Sequence, residues 1–202
     1  MKLRLLLMVG LALCWCNQTD AQTTKIYPLE ISIFNNATLL PGAAKLGVFG
    51  WPIHPGLRTG VLFKLQQSDK RTWFQTAQLA YHYHRYVHHG LQVYSELGYR
   101  HALSLRFDIE GRLGLGYLHA ISAAPSFELV EGSYQKQSNR GRAQATGGAT
   151  LGIGYQIASD WRLFLQTQFY LQIPFVREYV PILPNLAFHT GVQLPLTINK
   201  RS

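Results

Sequence analysis

The side chains best suited to metal or haem chemistry are the histidines, four of which are crowded into residues 82–89. On an extended strand, His82 and His84 share one face about 7 Å apart. Imidazoles at that spacing can share a transition metal or a haem, and a cluster that titrates near pH 6.5 can sense pH. The alternative is that they are polar side chains at a strand end. The candidate metal ligands are His82, His84, His88 and His89.

A second set of residues has the composition of a hydrolytic site. Such a site needs a nucleophile, a base and an orienting acid within hydrogen-bond reach. All three types occur in one stretch, as His119, Ser122, Ser126, Glu128, Glu131 and Ser133. A lipid acyl hydrolase is therefore possible, although no spacing demands it. The chain has no Walker loop, CxxC or HExxH pattern.

A third set consists of charges that alternate with apolar residues, most clearly in the segment 106–112. Buried charges are costly unless they are paired, so we expect these side chains to contact one another in an enclosed polar network. A narrow gated path for protons or small ions is the alternative. The predicted network comprises Arg58, Lys64, Glu96, Arg100, Arg106, Asp108, Glu110, Arg112 and Arg162.

The elements that must position these residues are strands, because hydrophobicity alternates with period two through most of the chain. Besides the seven clear segments, residues 43–50 are predicted to form an eighth strand. Residues 26–36 are the alternative for this eighth strand, or a lead-in segment before the barrel. The seven clear segments are 57–66, 72–85, 91–100, 103–119, 143–157, 161–173 and 186–198.

Three features favour a membrane barrel over a soluble one. Many segments reach the 9 to 11 residues that cross a bilayer, and their polar faces are rich in Gly, Gln, Thr and Arg. Tyr and Trp lie near the ends of the apolar faces, as in interfacial aromatic girdles. We therefore predict an all-β, closed antiparallel up-and-down transmembrane barrel of eight strands with a filled polar lumen, too narrow for a porin. A soluble lipid-binding barrel would need the apolar faces inside.

Composition and the N-terminal residues predict how the chain is divided into segments. The 202 residues are 47% hydrophobic and 14% charged, with a net charge of +9, which excludes a disordered chain. Lys2 and Arg4 precede an apolar run, so residues 1–21 are predicted to be a secretory signal peptide that carries away both cysteines. A lipoprotein signal is disfavoured because large residues precede those cysteines. Residues 22–42 are then a lead-in segment, and residues 43–202 are the barrel.

Connection lengths orient the predicted barrel. Alternate connections include the two longest, 120–142 and 174–185, whereas the others are short turns. Long outer loops and short periplasmic turns are the rule for such barrels. One outer loop carries Lys136, Arg140 and Arg142, which could pair with glycolipid phosphates or simply be solvated. Nucleic-acid binding is not expected, because the basic residues are dispersed.

The chain resembles the small eight-stranded outer-membrane barrels of Gram-negative bacteria. The "AQ" signal junction and the segments HPGLRTG, LGLGYLH and IPFVREYVPILP are similar to those of uncharacterised Bacteroidetes-type barrels. The resemblance implies an outer-membrane location, insertion by the outer-membrane assembly machinery, and contact with membrane lipid or lipopolysaccharide phosphates. It implies no cofactor. The predicted role is non-enzymatic, in envelope maintenance or surface interaction, with a lipid-modifying rim enzyme and a metal or haem binder as alternatives.

Overall fold

The computed structural model describes residues 26–39, 53–84, 88–123, 127–130, 132–136, 140–175 and 180–197. The predicted signal peptide, residues 1–21, lies outside these ranges. Among the described residues no helix is long and apolar enough to cross a membrane. The strands are β1 (Ile26–Thr38), β2 (Pro55–Gln67), β3 (Arg71–Tyr83), β4 (His88–Ala102), β5 (Phe107–Ser122), β6 (Phe127–Val130), β7 (Ser133–Lys136), β8 (Arg142–Gln156), β9 (Arg162–Ile173) and β10 (Leu183–Thr197).

Eight of the strands form a closed antiparallel barrel in the order β1-β10-β9-β8-β5-β4-β3-β2. Each barrel strand therefore pairs with its neighbours in the chain, except that β5 pairs with β8 and that β1 closes the barrel against β10. The strands β6 and β7 form a separate two-stranded hairpin within the β5–β8 connection. Residues Tyr27–Leu196 make up one compact unit. The predicted fold class, an eight-stranded closed barrel, is confirmed.

The first strand of the barrel comes from the alternative segment, predicted at 26–36, rather than from residues 43–50. Strand β1 pairs with β2 in a continuous register from Leu29 opposite Val61 to Asn35 opposite Pro55. Residues 43–50 lie outside the described ranges. The barrel therefore begins at Ile26, which corrects the boundary predicted at residue 43. Residues 26–36 and the shorter run 43–50 both fit a strand, so the pattern alone does not choose between them.

The remaining segments match the predicted strands to within three residues, with one exception. We predicted that the fifth strand starts at residue 103, but 103–106 form a turn and β5 begins at Phe107. The Ser104 hydroxyl accepts hydrogen bonds from the backbone N–H groups of Arg106 and Phe107 at 3.3 and 3.1 Å. Leu103 and Leu105 keep the parity of the strand, so the pattern alone did not mark this turn.

The apolar faces of the strands point outward and the polar faces point into the lumen. Along β5, for example, Leu113 and Leu115 are 70% and 76% exposed, whereas Glu110 and Arg112 are buried. A soluble barrel would show the reverse arrangement, so the alternative of a soluble lipid-binding barrel with apolar faces inside is wrong. An exterior of this kind is suited to hydrocarbon rather than to water.

The two ends of the barrel differ in their connections. We call the end at which β2 connects to β3, β4 to β5 and β8 to β9 the turn end. The opposite end, where β3 ends and β4 begins, is the loop end. Aromatic residues lie on the outer wall near both ends, including Trp73 against Tyr99 at the turn end and Tyr83 at the loop end. Residues 73 and 83 are ten steps apart on β3. At a strand tilt of about 40°, these steps span roughly 26 Å, close to the usual apolar band.

Candidate functional site

The lumen contains a dense ion-pair network centred on Arg112 of β5. Its guanidinium donates to both carboxylate oxygens of Glu30 at 2.7 and 2.9 Å, to Glu110 at 2.8 Å and to Glu96 at 3.4 Å. Glu30 and Arg112 are 0% and 2% exposed. These groups meet because alternate residues of β1, β4 and β5 all point inward. Arg112 thus contacts three carboxylates at once.

A second guanidinium extends this network toward the turn end. Arg162 of β9 donates from Nε to Asp108 at 2.8 Å and from Nη2 to Glu110 at 3.1 Å. Arg100 of β4 also contacts Glu110, at 2.9 Å, and donates to Gln193 at 3.0 Å. Glu110 therefore contacts three arginines, so its charge is matched although its side chain is buried.

The charges of this lumen network are balanced. Four arginines, at positions 58, 100, 112 and 162, face four carboxylates, at positions 30, 96, 108 and 110. Arg58, which is fully buried, donates to Gln166 at 2.6 Å. The guanidinium carbons of Arg100 and Arg112 each lie 5.1 Å from the centre of the Phe74 ring, a cation–π distance. Equal numbers of opposite charges allow this polar core to exist without a net buried charge.

The space left inside the barrel is small. A cavity of about 10 Å³ lies beside Tyr94, Glu96 and Thr146, which is room for one water molecule at most. A larger cavity of about 540 Å³ is lined mainly by outward-facing residues, among them Ile109, Leu151 and Leu165. This groove belongs to the apolar outer wall. Beside Tyr94, Glu96 and Thr146, the described lumen side chains therefore leave too little space for an aqueous path.

Two predicted members of the lumen network lie elsewhere. Arg106 is exposed in the β4–β5 turn, where it donates to the Tyr155 hydroxyl at 3.1 Å. Lys64 is exposed beside a register shift in β2, near the turn end. Both were assigned by strand parity, which does not reveal where the enclosed part of the lumen stops. Conversely, the sequence prediction omitted Glu30, because β1 was only an alternative strand.

At the loop end, four buried imidazoles come together from three chain segments. His82 lies on the inner face of β3, and His84 directly follows the end of that strand. His88 begins β4, and His54 precedes β2. The rings of His54 and His84 stack with centroids 3.6 Å apart and planes 9° apart. The rings of His82 and His88 are edge to face at 5.3 Å. We call His54, His82, His84 and His88 the histidine cluster.

Most ring nitrogens of the histidine cluster have no partner among the described residues. His54 is the exception, because its Nδ1 donates to the Asn36 carbonyl at 3.1 Å while its Nε2 is buried and unpaired. Both ring nitrogens of His82 and of His88 are buried without a partner, as is Nδ1 of His84. Within the described residues, no three His, Cys, Asp or Glu side chains already surround a common metal position.

Burial disfavours the charged forms of His84 and His54. Burial, together with the adjacent His54, lowers the pKa of His84 to about 4. Burial also lowers the pKa of His54, although its hydrogen bond to Asn36 opposes the shift. A neutral imidazole retains a nitrogen lone pair and can accept a hydrogen bond or bind a cation.

The structure changes the set of histidines that the sequence grouped. His89 lies on the outer wall, where its Nδ1 hydrogen-bonds the Tyr81 hydroxyl at 2.8 Å and its ring packs near Tyr83 at 4.8 Å. His89 is therefore separate from the cluster, whereas His54, absent from the candidate ligands, belongs to it. His54 is two residues before Gly56, so both face the same side, and Gly56 pairs with His82. The sequence could have placed His54 near His82 only if the β2–β3 register had been known.

The geometry around His119 does not favour the hydrolytic arrangement. Its Nε2 donates to the Arg140 carbonyl at 3.1 Å, so its Nδ1 accepts from the Tyr117 hydroxyl at 2.9 Å. Both ring nitrogens are therefore engaged by groups other than serine. Ser126 and Glu131 lie outside the described residues, and Ser133 is exposed. The rim hydrolase remains a prediction.

The basic residues suggested for glycolipid phosphates lie at the loop end. Lys136 is exposed on β7. Arg142 is exposed at the start of β8 and donates to the Phe175 carbonyl at 3.1 Å, with its guanidinium carbon 5.8 Å from the Phe175 ring. Arg140 is exposed in the same connection. Phosphate binding by these cations stays a prediction.

No family model matches the chain, and no curated protein matches it. Among solved structures, Neisserial surface protein A is 9% identical over 86% of this chain and 99% of its own, with a TM-score of 0.46. Ail of Yersinia pestis is 9% identical over 86% of this chain and 100% of its own, with a TM-score of 0.47. The outer-membrane enzyme PagL is 13% identical over 83% of this chain and 99% of its own, with a TM-score of 0.48. These neighbours are small outer-membrane barrels, but the fold assignment rests on the strand pairing of this chain itself: a closed barrel with an apolar outside and a polar, filled inside.

Proposed function

We propose that the protein resides in the bacterial outer membrane as a non-conducting barrel, with a non-enzymatic role in envelope maintenance or surface interaction through its loop end. The observation that carries the proposal is the division between its faces. Large apolar residues cover the outside, while the lumen holds four arginines and four carboxylates, seven of which form ion pairs. This division favours a membrane location and disfavours transport through the barrel.

The lumen network disfavours conduction of ions through the barrel. A permeating ion would have to pass Arg112, which contacts three carboxylates from three strands. Breaking such buried contacts one partner at a time is costly, because each loss leaves an uncompensated charge. A cavity that holds one water at most provides no alternative route. We therefore infer that the lumen serves stability and that any interaction takes place at the rim.

The loop end offers a surface for such an interaction. The β6–β7 hairpin pairs with no strand of the barrel, and its Phe127 and Tyr134 are 59% and 77% exposed. Lys136 lies on the same hairpin, with Arg140 after it in the chain. Exposed cations near exposed aromatic residues are suited to phosphates in the headgroup layer, which points to lipopolysaccharide as a partner. Insertion of the barrel would require the outer-membrane assembly machinery.

Location and conductance can be tested on the full-length protein. Cell membranes should be fractionated, and the protein run on a detergent gel before and after boiling. We expect it in the outer-membrane fraction, with a heat-dependent change in migration that reports a closed barrel. In planar lipid bilayers it should give no steady channel openings. A soluble product without a shift, or reproducible conductance, would contradict the proposal.

The surface role needs a separate test. The paired change Lys136→Ala with Arg140→Ala should lower lipopolysaccharide binding to the purified barrel by about threefold or more, since two charge-assisted contacts are removed. Lys70→Ala is the matched control, because Lys70 is an exposed lysine at the turn end. Binding can be measured as lipopolysaccharide phosphate retained per barrel. Equal losses in both variants would show that the effect is non-specific charge.

A further inference from the structure

The outer wall of the barrel carries a groove near the turn end, with a volume of about 540 Å³. We propose that this groove binds an acyl chain of one glycerophospholipid molecule, whose phosphate lies beside Arg71 and His101. The inference rests on the proposed membrane location, because the groove faces the hydrocarbon only in a membrane. It does not depend on the surface role proposed for the loop end.

A glycine opens the groove on the outer face of β5. The neighbouring outward positions of this strand carry large side chains, with Ile109 on one side of Gly111 and Leu113 on the other. Apart from its chain neighbours, a Cβ at Gly111 would meet one atom within 4 Å, the Leu151 Cδ2 at 3.8 Å. No neighbouring side chain among the described residues therefore fills the space that the glycine leaves.

Two rows of outward side chains border the groove, and each row runs across neighbouring strands. The row nearer the turn end consists of Ile109, Ile153 and Leu165, which pair in that order across β5, β8 and β9. The second row lies two residues farther along the strands and contains Tyr99, Gly111 and Leu151, which pair in that order across β4, β5 and β8. The lining is thus almost entirely hydrocarbon.

The width of the groove favours a single hydrocarbon chain as its occupant. Residues two apart on a strand are about 7 Å apart, so the groove is narrower than an α-helix with its side chains, which is about 10–12 Å across. Glu110 and Gln166, between the two rows, turn their side chains into the lumen, so the floor of the groove is backbone.

An extended peptide is disfavoured as well. The strands β4, β5, β8 and β9 are each paired on both sides, so none of them has a free edge for a further strand. The backbone groups of a peptide in the groove would therefore stay unpaired in hydrocarbon, which is costly. An acyl chain has no polar groups along its length and avoids this cost.

A cation lies where the groove meets the turn end. His101 lines the groove and pairs with Arg71 of β3, so their side chains are neighbours on the outer wall. Of the described carboxylates, none forms an ion pair with Arg71. A guanidinium can bind a phosphate through two parallel hydrogen bonds, and an imidazole can donate one more.

The position of these side chains matches the headgroup layer. The rings of Trp73 and Tyr99, whose centroids are 5.0 Å apart, belong to the aromatic residues at the turn end. Such residues lie where headgroups meet hydrocarbon. A phosphate beside Arg71 would therefore be at headgroup level while its acyl chain enters the groove. By the rule that long loops face outward, the turn end faces the periplasm, which favours a phospholipid over the glycolipid proposed for the loop end.

The test uses the folded full-length protein in detergent, stripped of lipid and titrated with phosphatidylglycerol, with native mass spectrometry to count the lipids retained per barrel. We expect saturable retention of one lipid. Gly111→Leu should weaken it by about tenfold or more, because the new side chain displaces methylene groups that contribute roughly fourfold each. Ala77→Leu is the matched control, because it adds a leucine to the outer face of β3, outside the groove, and should leave the affinity unchanged.

The phosphate contact is tested by a second pair of variants. Arg71→Gln should weaken retention of phosphatidylglycerol by about threefold or more, because a charge-assisted contact is lost. Lys64→Gln removes an exposed cation of β2 near the same end and should leave retention unchanged. Diacylglycerol, which has the chains without the phosphate, should bind the native protein and Arg71→Gln equally. Heat-modifiable migration must be retained by every variant compared.

A photoreactive group in the acyl chain keeps the test decisive if a variant fails to fold. Cross-links to the native protein should map to peptides of β5, β8 and β9. The proposal would be overturned by the absence of saturable retention, by cross-links spread evenly around the barrel, or by equal losses in Gly111→Leu and Ala77→Leu. A dimer in detergent that Gly111→Leu dissociates would also overturn it, because the groove would then be an interface between two copies. Each of these results, with outer-membrane location and heat-modifiable migration intact, would leave the proposed function standing.

Discussion

Replacing Arg112 by methionine tests whether the lumen network stabilises the barrel. The change removes the cation that contacts Glu30, Glu96 and Glu110. Glu110 keeps Arg100 and Arg162, but among the described residues Glu30 keeps only a hydrogen bond from Gln78 at 3.0 Å. Glu30, which is fully buried, then has no ion pair within the described part of the chain. Removing one partner of a buried pair costs about 3–5 kcal/mol of unfolding free energy, and we expect Arg112→Met to fall in that range.

A compensating change separates lost charge balance from lost packing. The double variant Glu30→Gln with Arg112→Met leaves three arginines and three carboxylates in the lumen, and should recover about 2 kcal/mol or more of the loss. Arg106→Met is the control, because Arg106 is exposed in a turn, and it should change stability by about 0.5 kcal/mol or less.

Urea titration in lipid vesicles, followed by tryptophan fluorescence and by migration of unboiled samples, measures these differences. An unfolding free energy of Arg112→Met within about 1 kcal/mol of the native value would contradict this expectation, since a buried unpaired carboxylate should cost more than that. The expectation is also refuted if the double variant is no more stable than Arg112→Met. That outcome would mean that methionine disturbs packing around Phe74 rather than charge balance.

Three further changes test the outer wall, the close strand packing and the hairpin. Leu115→Arg, at mid-strand on the outside, should lower the unfolding free energy in vesicles by about 2–4 kcal/mol; a neutral effect would contradict a lipid-facing wall. Gly148→Ala should reduce the folded fraction on unboiled gels, because its Cβ would lie 2.2 Å from the Phe169 carbonyl oxygen, whereas Gly111→Ala meets no atom closer than 3.8 Å and should fold normally. Equal folding of the two glycine variants would refute this account. Deletion of 127–136 should leave heat-modifiable migration intact, because β6 and β7 pair with each other and not with the barrel; loss of migration would assign them a structural role.

Strand parity accounts for most of what sequence reasoning predicted correctly. On β5, the alternation of Leu113 and Leu115 with Arg112 and Gly114 was enough to assign faces, since consecutive side chains of a strand point to opposite sides. Parity failed where the strand ended. Leu103 and Leu105 continue the alternation into a turn. Arg106 was therefore predicted to face the lumen, although it is exposed in that turn.

The order of residues along the chain was enough to predict the period-two pattern, the approximate strand positions and the fold class, because these depend on neighbours along the chain. Which charges pair and which histidines meet followed only from the folded barrel. Closing the barrel brings Glu30 of β1 against Arg112 of β5, and the β2–β3 register brings His54 near His82 and His84 while His89 faces outward. Such contacts depend on register and barrel closure, and both are set by long-range pairing that no local pattern encodes.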